Sequence, residues 1–417
     1  MSTSRRNFLK GAAAAGVAAV APSFYIGGAA RAQGDIQVGV LFSQTGGLSI
    51  VERSMADATL MAIEEINASG GVAGRMISPI VEDGASDPNT FNEKASKLVL
   101  QDRTPTTFGC YTSASRKAVL PVYERRDNLL FYPTYYEGFE CSKNVVYTGA
   151  VPNQQLSNLI PWIINTLGKK KFFIVGSNYI YPREMAKVSK GLIEANGAEW
   201  VADEYLELGH SEWGSMVNRI RESGCDVVLS NVVGDSVVAF YREYANQGIS
   251  HDELPICATV TSELEIEAMG AEFAAGSYTS FPYFMAVPSQ RNQDFVARYR
   301  DFVGDADALT QHPMECSYFQ VYLWKQAVEA ADGNLATAAI REGVKGQSFA
   351  APNGDVYVEP ENLHTALTPR IARWDANGQG EIIKASPEPV GPLPYVAYGE
   401  GENDLICTAA GLDRSRL

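Results

Sequence analysis

Histidine is scarce in this 417-residue chain. His210, His251, His312 and His364 are the full set, and none forms HExxH or another metal-ligand spacing. There is no GxSxG elbow, no P-loop and no GxGxxG after a strand, which removes the commonest hydrolase, nucleotide and dinucleotide chemistries. Six cysteines (110, 141, 225, 257, 316 and 407) lie far apart without a CxxC. Four of them sit in or beside apolar runs, where a buried free thiol is expected, although one disulfide stays open. Positive charge is also short, with 34 Lys and Arg against 49 Asp and Glu and a net charge of −15. A surface that acidic repels phosphate backbones, so no nucleic-acid partner is expected. No segment approaches the roughly 18 consecutive apolar residues of a membrane helix.

Two fragments of catalytic pattern remain, and both fail. "GDSVV" (Gly234 to Val238) is similar to the nucleophile block of one esterase class, which also needs an Asp three residues before a late His. None of the four histidines has one. Cys110 lies near Lys117, as in the Cys-Lys-Glu set of amidases, but a buried strand-end cysteine beside a solvated lysine is the ordinary reading. The expectation is a protein without catalysis, cofactor or metal.

What is present begins with a leader. "SRRNFLK" (Ser4 to Lys10) carries a twin-arginine pair, then an alanine-rich stretch, then Ala30-Arg31-Ala32 as a small-residue cleavage site. Residues 1–33 are read as a twin-arginine signal peptide for export to the periplasm. They contain four basic residues and no acidic one, so their removal takes the charge from −15 to −19.

From Ile36 onward, apolar runs such as "IQVGVLFS", "TTFGCY", "LLFYPT", "KFFIVGS", "DVVLSNV" and "PICATV" alternate with amphipathic segments. That rhythm predicts parallel sheets with helices on both faces, and its two runs predict two doubly wound domains. Asn353-Gly354 and Asn377-Gly378 mark two hairpins near the C-terminus.

Polar and aromatic residues gather behind the strands, where open α/β sheets bind ligands. The blocks are Tyr111 to Ser115, Tyr132 to Glu137, Ser177 to Pro182, Gly234 to Ser236 and Thr259 to Glu263. Any one of them alone is a helix cap. Five of them, split between two domains, predict a lined cleft.

"GVLFSQTG", "AIEEINASGGVAGR", "GCYTSASRKAVLPV", "FYPTYYEGFE", "SNYIYPRE" and "NQGI" resemble the type I periplasmic solute-binding proteins of the branched-chain amino acid ABC transporter family. Within it the sequence is most similar to the urea-binding and short-chain-amide-binding branch, from about Ile36 to Pro394. The resemblance implies two Rossmann-like lobes joined by a three-crossover hinge, with crossovers near Ala150–Pro152, Phe281–Phe284 and Gly346–Ala351. The lobes would be 34–151 with 284–348, and 152–283 with 349–394, followed by a tail, 395–417. It also implies delivery of a small polar ligand to inner-membrane ABC permease subunits.

By the same resemblance Ser113 and Thr134 meet the ligand's polar atoms. Tyr111 and Tyr132 wall the first lobe, and Tyr179 and Tyr181 close from the second. Asp235, Thr261 and Glu263 complete the lining, and Glu137 is either a contact or a loop cap. A tiny planar amide offers little apolar area, so its affinity must come from hydrogen bonds to a dry, aromatic shell. Two rivals stay open. An amino-acid binder would use Asp235 or Glu263 for the ammonium, and the same acids suit a guanidine-like cation. A cytoplasmic amide sensor regulating an amidase operon is opposed by the export leader. If the leader works as read, Arg5→Lys with Arg6→Lys strands precursor in the cytoplasm; unchanged periplasmic yield on fractionation would refute it.

Overall fold

The computed structural model describes residues 34–140 and 142–394. The signal segment, the tail from 395, Cys141 and Cys407 therefore lie outside the described residues. The chain opens with β1 (Ile36–Phe42), α1 (Ser49–Ala68), β2 (Ile77–Asp83), α2 (Pro88–Ser96), β3 (Thr106–Gly109), α3 (Ser113–Arg126), β4 (Leu129–Tyr132) and β5 (Val145–Tyr147). The five strands form one sheet in the order β2-β1-β3-β4-β5, with every pairing parallel. Strands β3, β4 and β5 are buried throughout, as their unbroken apolar runs require of strands covered on both faces.

The second half repeats the plan. It contains α4 (Leu156–Trp162), β6 (Lys171–Ser177), α5 (Ile180–Ala195), β7 (Glu199–Leu206), α6 (Gly214–Glu222) and β8 (Val227–Asn231). These are followed by α7 (Asp235–Asn246), β9 (Ile256–Ala258), α8 (Glu263–Met269), α9 (Ala271–Ala274) and β10 (Tyr278–Phe281). Their parallel order, β7-β6-β8-β9-β10, matches that of the first sheet strand for strand. In each lobe the order reverses between the first and third strands, leaving a crevice at the strands' carboxyl ends. The residues behind β1, β3, β6 and β8 flank the two crevices.

The rest of the chain finishes both lobes. Next come α10 (Gln290–Val303), α11 (His312–Ala330) and α12 (Thr337–Val344). Helix α11 belongs to the first lobe: the Trp324 indole donates to Thr106 Oγ1 (3.1 Å) and its ring meets Phe108 edge-on at 5.7 Å. Then β11 (Ser348–Ala351), β12 (Gly354–Val358) and β13 (Thr365–Ala366) form a small antiparallel sheet. Finally β14 (Arg370–Trp374) and β15 (Gly380–Ala385) add an antiparallel edge beside β10. The two expected hairpins are both present.

The third crossover differs from expectation. The small sheet stays with the first lobe, because Tyr147 in β5 bridges to His364 and Thr365 Oγ1 donates to the Tyr147 carbonyl at 2.9 Å. The chain therefore passes to the second sheet between Ala366 and Arg370, not near Gly346–Ala351. Buried side chains bind the crossovers together. Arg370 donates to the carbonyls of Pro282, Thr368 and Asn353, while Asn353 Nδ2 donates to Glu315 at 2.9 Å. Gln154 Nε2 donates to Thr365 O (3.0 Å), and Gln155 Nε2 donates to Thr259 O (2.8 Å) and Ser280 O (3.1 Å). No described helix is long and apolar enough to cross a membrane.

Gly149, leading into the first crossover, fixes the height of the loop behind β4. A Cβ there would stand 2.1 Å from the Thr134 carbonyl carbon and 2.3 Å from its oxygen. Backbone cannot yield cheaply, so Gly149→Ala is expected to cost about 1–3 kcal/mol in calorimetric unfolding. An unchanged melting temperature would show that the loop behind β4 is free to shift.

Candidate ligand-binding site

The first-lobe side is built on the start of α3. Cys110 turns at φ +68°, and Thr112 caps the helix by accepting from the Ser115 N–H at 3.0 Å. Ser113 is thereby held at the helix N-terminus, where free N–H groups favour negative charge. The charge that arrives belongs to the protein. Ser113 Oγ donates to Glu137 Oε2 at 2.5 Å, Arg116 Nη2 donates to Glu137 Oε1 at 2.6 Å, and Arg116 Nη1 donates to Ser113 Oγ at 3.1 Å. Both charged side chains are fully enclosed. The guanidinium lies 4.4 Å from the Tyr136 ring centre and 5.0 Å from that of Tyr132. Burial is the largest single influence on Arg116 and opposes its charge, but Glu137, Tyr132, Glu140 and Tyr147 together outweigh it and hold the guanidinium protonated. Glu137 is thus one half of a buried ion pair, not a simple loop cap.

Tyrosines cover that pair. The Tyr132 hydroxyl donates to the Tyr111 carbonyl at 2.6 Å, and the Tyr111 and Tyr135 hydroxyls share a hydrogen bond of 2.8 Å. Thr134 Oγ1 donates to the Cys110 carbonyl at 3.3 Å. From the second lobe, Tyr181 packs its ring 5.5 Å from Tyr135, with Tyr179 6.4 Å from Tyr181. Burial drives the Tyr179 hydroxyl well above the usual phenol range, and the neighbouring Tyr111, Tyr181, Tyr132 and Glu137 push it the same way. Those neighbours come from both lobes, so the phenols converge in one place. The cleft is closed. Ser262 Oγ donates to Gln311 Oε1 at 2.8 Å, and Gln311 Nε2 donates to Ser54 Oγ at 3.0 Å, joining the second lobe to the first.

Six expected residues, Tyr111, Ser113, Tyr132, Thr134, Tyr179 and Tyr181, therefore meet around one region. Three do not join them. Asp235 is exposed in the first turn of α7 and lies against Gly47 at the cleft rim, where a Gly47 Cβ would be 2.8 Å from Oδ2. Thr261 pairs its hydroxyl with Tyr241 of α7 at 3.3 Å. Glu263 accepts from the Met285 N–H beyond the second crossover at 2.7 Å, and burial pushes its carboxyl up to about 8. A mostly neutral acid there is a poor seat for an ammonium.

The structure adds residues to this region beyond the expected contacts: Asn231 and Arg116 lay outside the five sequence blocks, while Thr259, Ser236 and Tyr135 lay inside them without a ligand role. Thr259 Oγ1 shares a 3.1 Å hydrogen bond with the Tyr181 hydroxyl and donates to Asn231 Oδ1 at 2.6 Å, leaving the buried Asn231 Nδ2 without a partner. Ser236 Oγ, at the start of α7, is also buried and unpartnered. Asn231 ends β8 at the switch point and Ser236 follows it, which was the available signal. Tyr135 stood in the same tyrosine-rich stretch, and Arg116 follows Ser113 by one helical turn.

His312, Glu315 and Cys316 on α11 bring three metal-type donor atoms within 4.8 Å of one another. They do not suit a cation. Both Glu315 oxygens already accept from Asn353, the Arg370 charge is close, and the residues sit at the positive end of a helix.

Residues 36–401 match the family described as periplasmic binding protein domain. The chain belongs to that family. Residues 2–22 match the twin-arginine translocation pathway signal sequence, and the chain is exported to the periplasm by that route. An amino acid binding protein of Pseudomonas aeruginosa is 25% identical over 64% of this chain and 72% of its own length. A Leu/Ile/Val-binding protein homolog of Brucella melitensis is 23% identical over 90% of this chain and 98% of its own. Among solved structures, a Rhodopseudomonas palustris solute-binding protein in complex with p-hydroxybenzoic acid superposes with a TM-score of 0.77, at 20% identity, over 84% of this chain and 97% of that one. The substrate-binding protein of a Streptococcus pneumoniae branched-chain amino acid transporter, in complex with isoleucine, gives 0.73 at 21% over 86% and 100%. The α/β fold with parallel sheets is common to this chain and the two solved structures.

Removing one member of a buried ion pair leaves the other unpaired, which typically costs about 3–5 kcal/mol. Arg116→Met is expected to lower calorimetric stability by that order, and Glu137→Gln in the same chain to restore part of it. A loss no smaller in the double variant would mean the two side chains are not coupled.

Proposed function

We propose that the protein is the solute-binding component of an ABC transporter and carries urea or a short-chain aliphatic amide to the inner-membrane permease subunits. The observation that carries this reading is the Glu137 carboxylate beside Ser113. In an amino-acid or aromatic-acid binder, the hydroxyl and N–H groups at the α3 N-terminus would receive the ligand's carboxylate. Here Glu137 already takes the Ser113 hydroxyl, 2.5 Å from Oγ, and Arg116 neutralises it. A ligand carboxylate seated at Ser113 would meet the like charge of Glu137, a costly arrangement. A neutral ligand with several N–H donors instead finds acceptors in Glu137 and the phenols, and a donor for its carbonyl in Asn231 Nδ2.

Closure follows from the same shell. Ligand contacts divided between Tyr132 and Glu137 on one lobe and Tyr181 and Asn231 on the other favour the closed state over the open one. The lobes would be 34–151 with 284–366, and 152–283 with 370–394. Binding without turnover is the expected chemistry, since the nearby thiols of Cys110 and Cys316 are buried and pushed by desolvation far above the range of a reactive thiolate.

The test is a thermal-shift and calorimetric screen of the mature chain against urea, formamide, acetamide, guanidinium, leucine and 4-hydroxybenzoate, with ammonia release followed in parallel. Urea or a short amide at a hundred times its Kd is expected to stabilise the protein by about 2.7 kcal/mol, without ammonia. Tyr179→Phe and Tyr181→Phe should each weaken binding roughly two- to tenfold through one lost hydrogen bond. A response to leucine or 4-hydroxybenzoate alone would overturn the amide reading and favour the ligand types named for the relatives.

A further inference from the structure

We propose that Tyr135 sets the size limit of the ligand, its ring filling the hinge side of the cleft where a longer ligand would extend. The inference rests on the reading of the cleft as the ligand site and deepens it.

Tyr135 is 4% exposed and touches three parts of the molecule at once. Its hydroxyl is held by Tyr111 of the first lobe at 2.8 Å. The ring lies 5.5 Å from Tyr181 of the second lobe and 5.3 Å from Phe281, the last residue before the second crossover. It also stacks on His312, at 6.2 Å with 15° between planes. Phe281 in turn lies 5.2 Å from His312, closing the wall behind the ring.

The ring cannot easily swing aside. The Tyr136 N–H donates to the Ala150 carbonyl at 2.9 Å, and Gly149 presses against the Thr134 carbonyl on the other flank. The main chain on both sides of Tyr135 is pinned to the first crossover. A side chain pinned at its backbone, tied at its hydroxyl and packed on three rings acts as a fixed partition.

The chemistry behind the partition indicates what would enter if it were removed. Phe281 is apolar, and burial keeps the His312 imidazole neutral, at a pKa of about 3. The Tyr111 and Tyr181 rings complete the lining. The rings that face that space carry no charge, and it suits an aliphatic tail better than an ammonium or a carboxylate. The small polar end of the ligand would remain with Glu137, Tyr179 and Asn231, and the partition would reject what extends beyond it.

The experiment measures Kd by titration calorimetry for wild type, Tyr135→Phe, Tyr135→Leu and Tyr135→Ala. Three size series are used: formamide to valeramide, alanine to leucine, and benzoate to 4-methylbenzoate and 4-ethylbenzoate. Wild type and Tyr135→Phe are expected to lose affinity steeply with each added carbon of the series they bind. Tyr135→Ala is expected to reverse the trend, gaining about fourfold per added CH2 that enters the vacated space, with Tyr135→Leu between. An unchanged size preference in a folded Tyr135→Leu or Tyr135→Ala variant overturns the proposal. If wild type binds amino acids or benzoates and not amides, the amide reading fails separately, and the size trend within the bound series still decides the role of Tyr135.

Discussion

The Arg116 guanidinium has no access to water, and a charge in that position must be matched inside the fold. Glu137 supplies the match, with Ser113 bridging the two and the Tyr132 and Tyr136 rings packed close to the cation. This one pair links the first turn of α3 to the loop behind β4, two segments that only tertiary structure brings together. The tyrosine layer rests on it, since Tyr132 is hydrogen-bonded to Tyr111, and Tyr111 to Tyr135. A buried ion pair is weak evidence for stability as such, because desolvation opposes it. On the proposed function, its value is to decide which sign of charge the cleft accepts.

On the proposed function, the same pairing is what would let a fold shared with binders of amino acids and aromatic acids serve a neutral ligand. Two crevices at the switch points of matching sheets provide a concave surface of strand ends whatever the solute. What differs is which hydrogen-bonding groups those ends leave open. In this chain the Ser113 hydroxyl at the start of α3 is taken by Glu137, and unpartnered buried atoms remain at Asn231 and Ser236. Unsatisfied buried polar atoms are rare in folded proteins.

Much of the fold was legible in the sequence for a local reason. Parallel strands covered on both faces need uninterrupted apolar runs, and those runs end in Ser, Thr and Tyr blocks that can be read directly. The short strand β5 escaped because three residues carry too little pattern. The third crossover was misplaced because the attachment of β13 to β5 joins Tyr147 to residues more than two hundred positions later, with no local signature. The site divided in the same way. The six tyrosine, serine and threonine positions on tight strand ends were readable, whereas the Arg116–Glu137 pairing was not. Asp235 read as a lining residue from its place after β8, yet the helix turn carries it to the exposed rim. The unpartnered Asn231, four residues earlier, was the inward one.

The route of the chain bears on how the protein is made. The first lobe receives α11 and the small sheet β11–β13 only after the five parallel strands of the second lobe have been threaded through, so its last pieces arrive near residue 366. Contacts this far apart in sequence form slowly, because distant segments must meet before they gain anything from meeting. The twin-arginine route carries folded chains, so translocation has to wait until almost every residue has left the ribosome. A truncated or arrested chain would keep an open first lobe and remain on the cytoplasmic side. The interleaving that couples the lobes thus also turns export into a check on completeness.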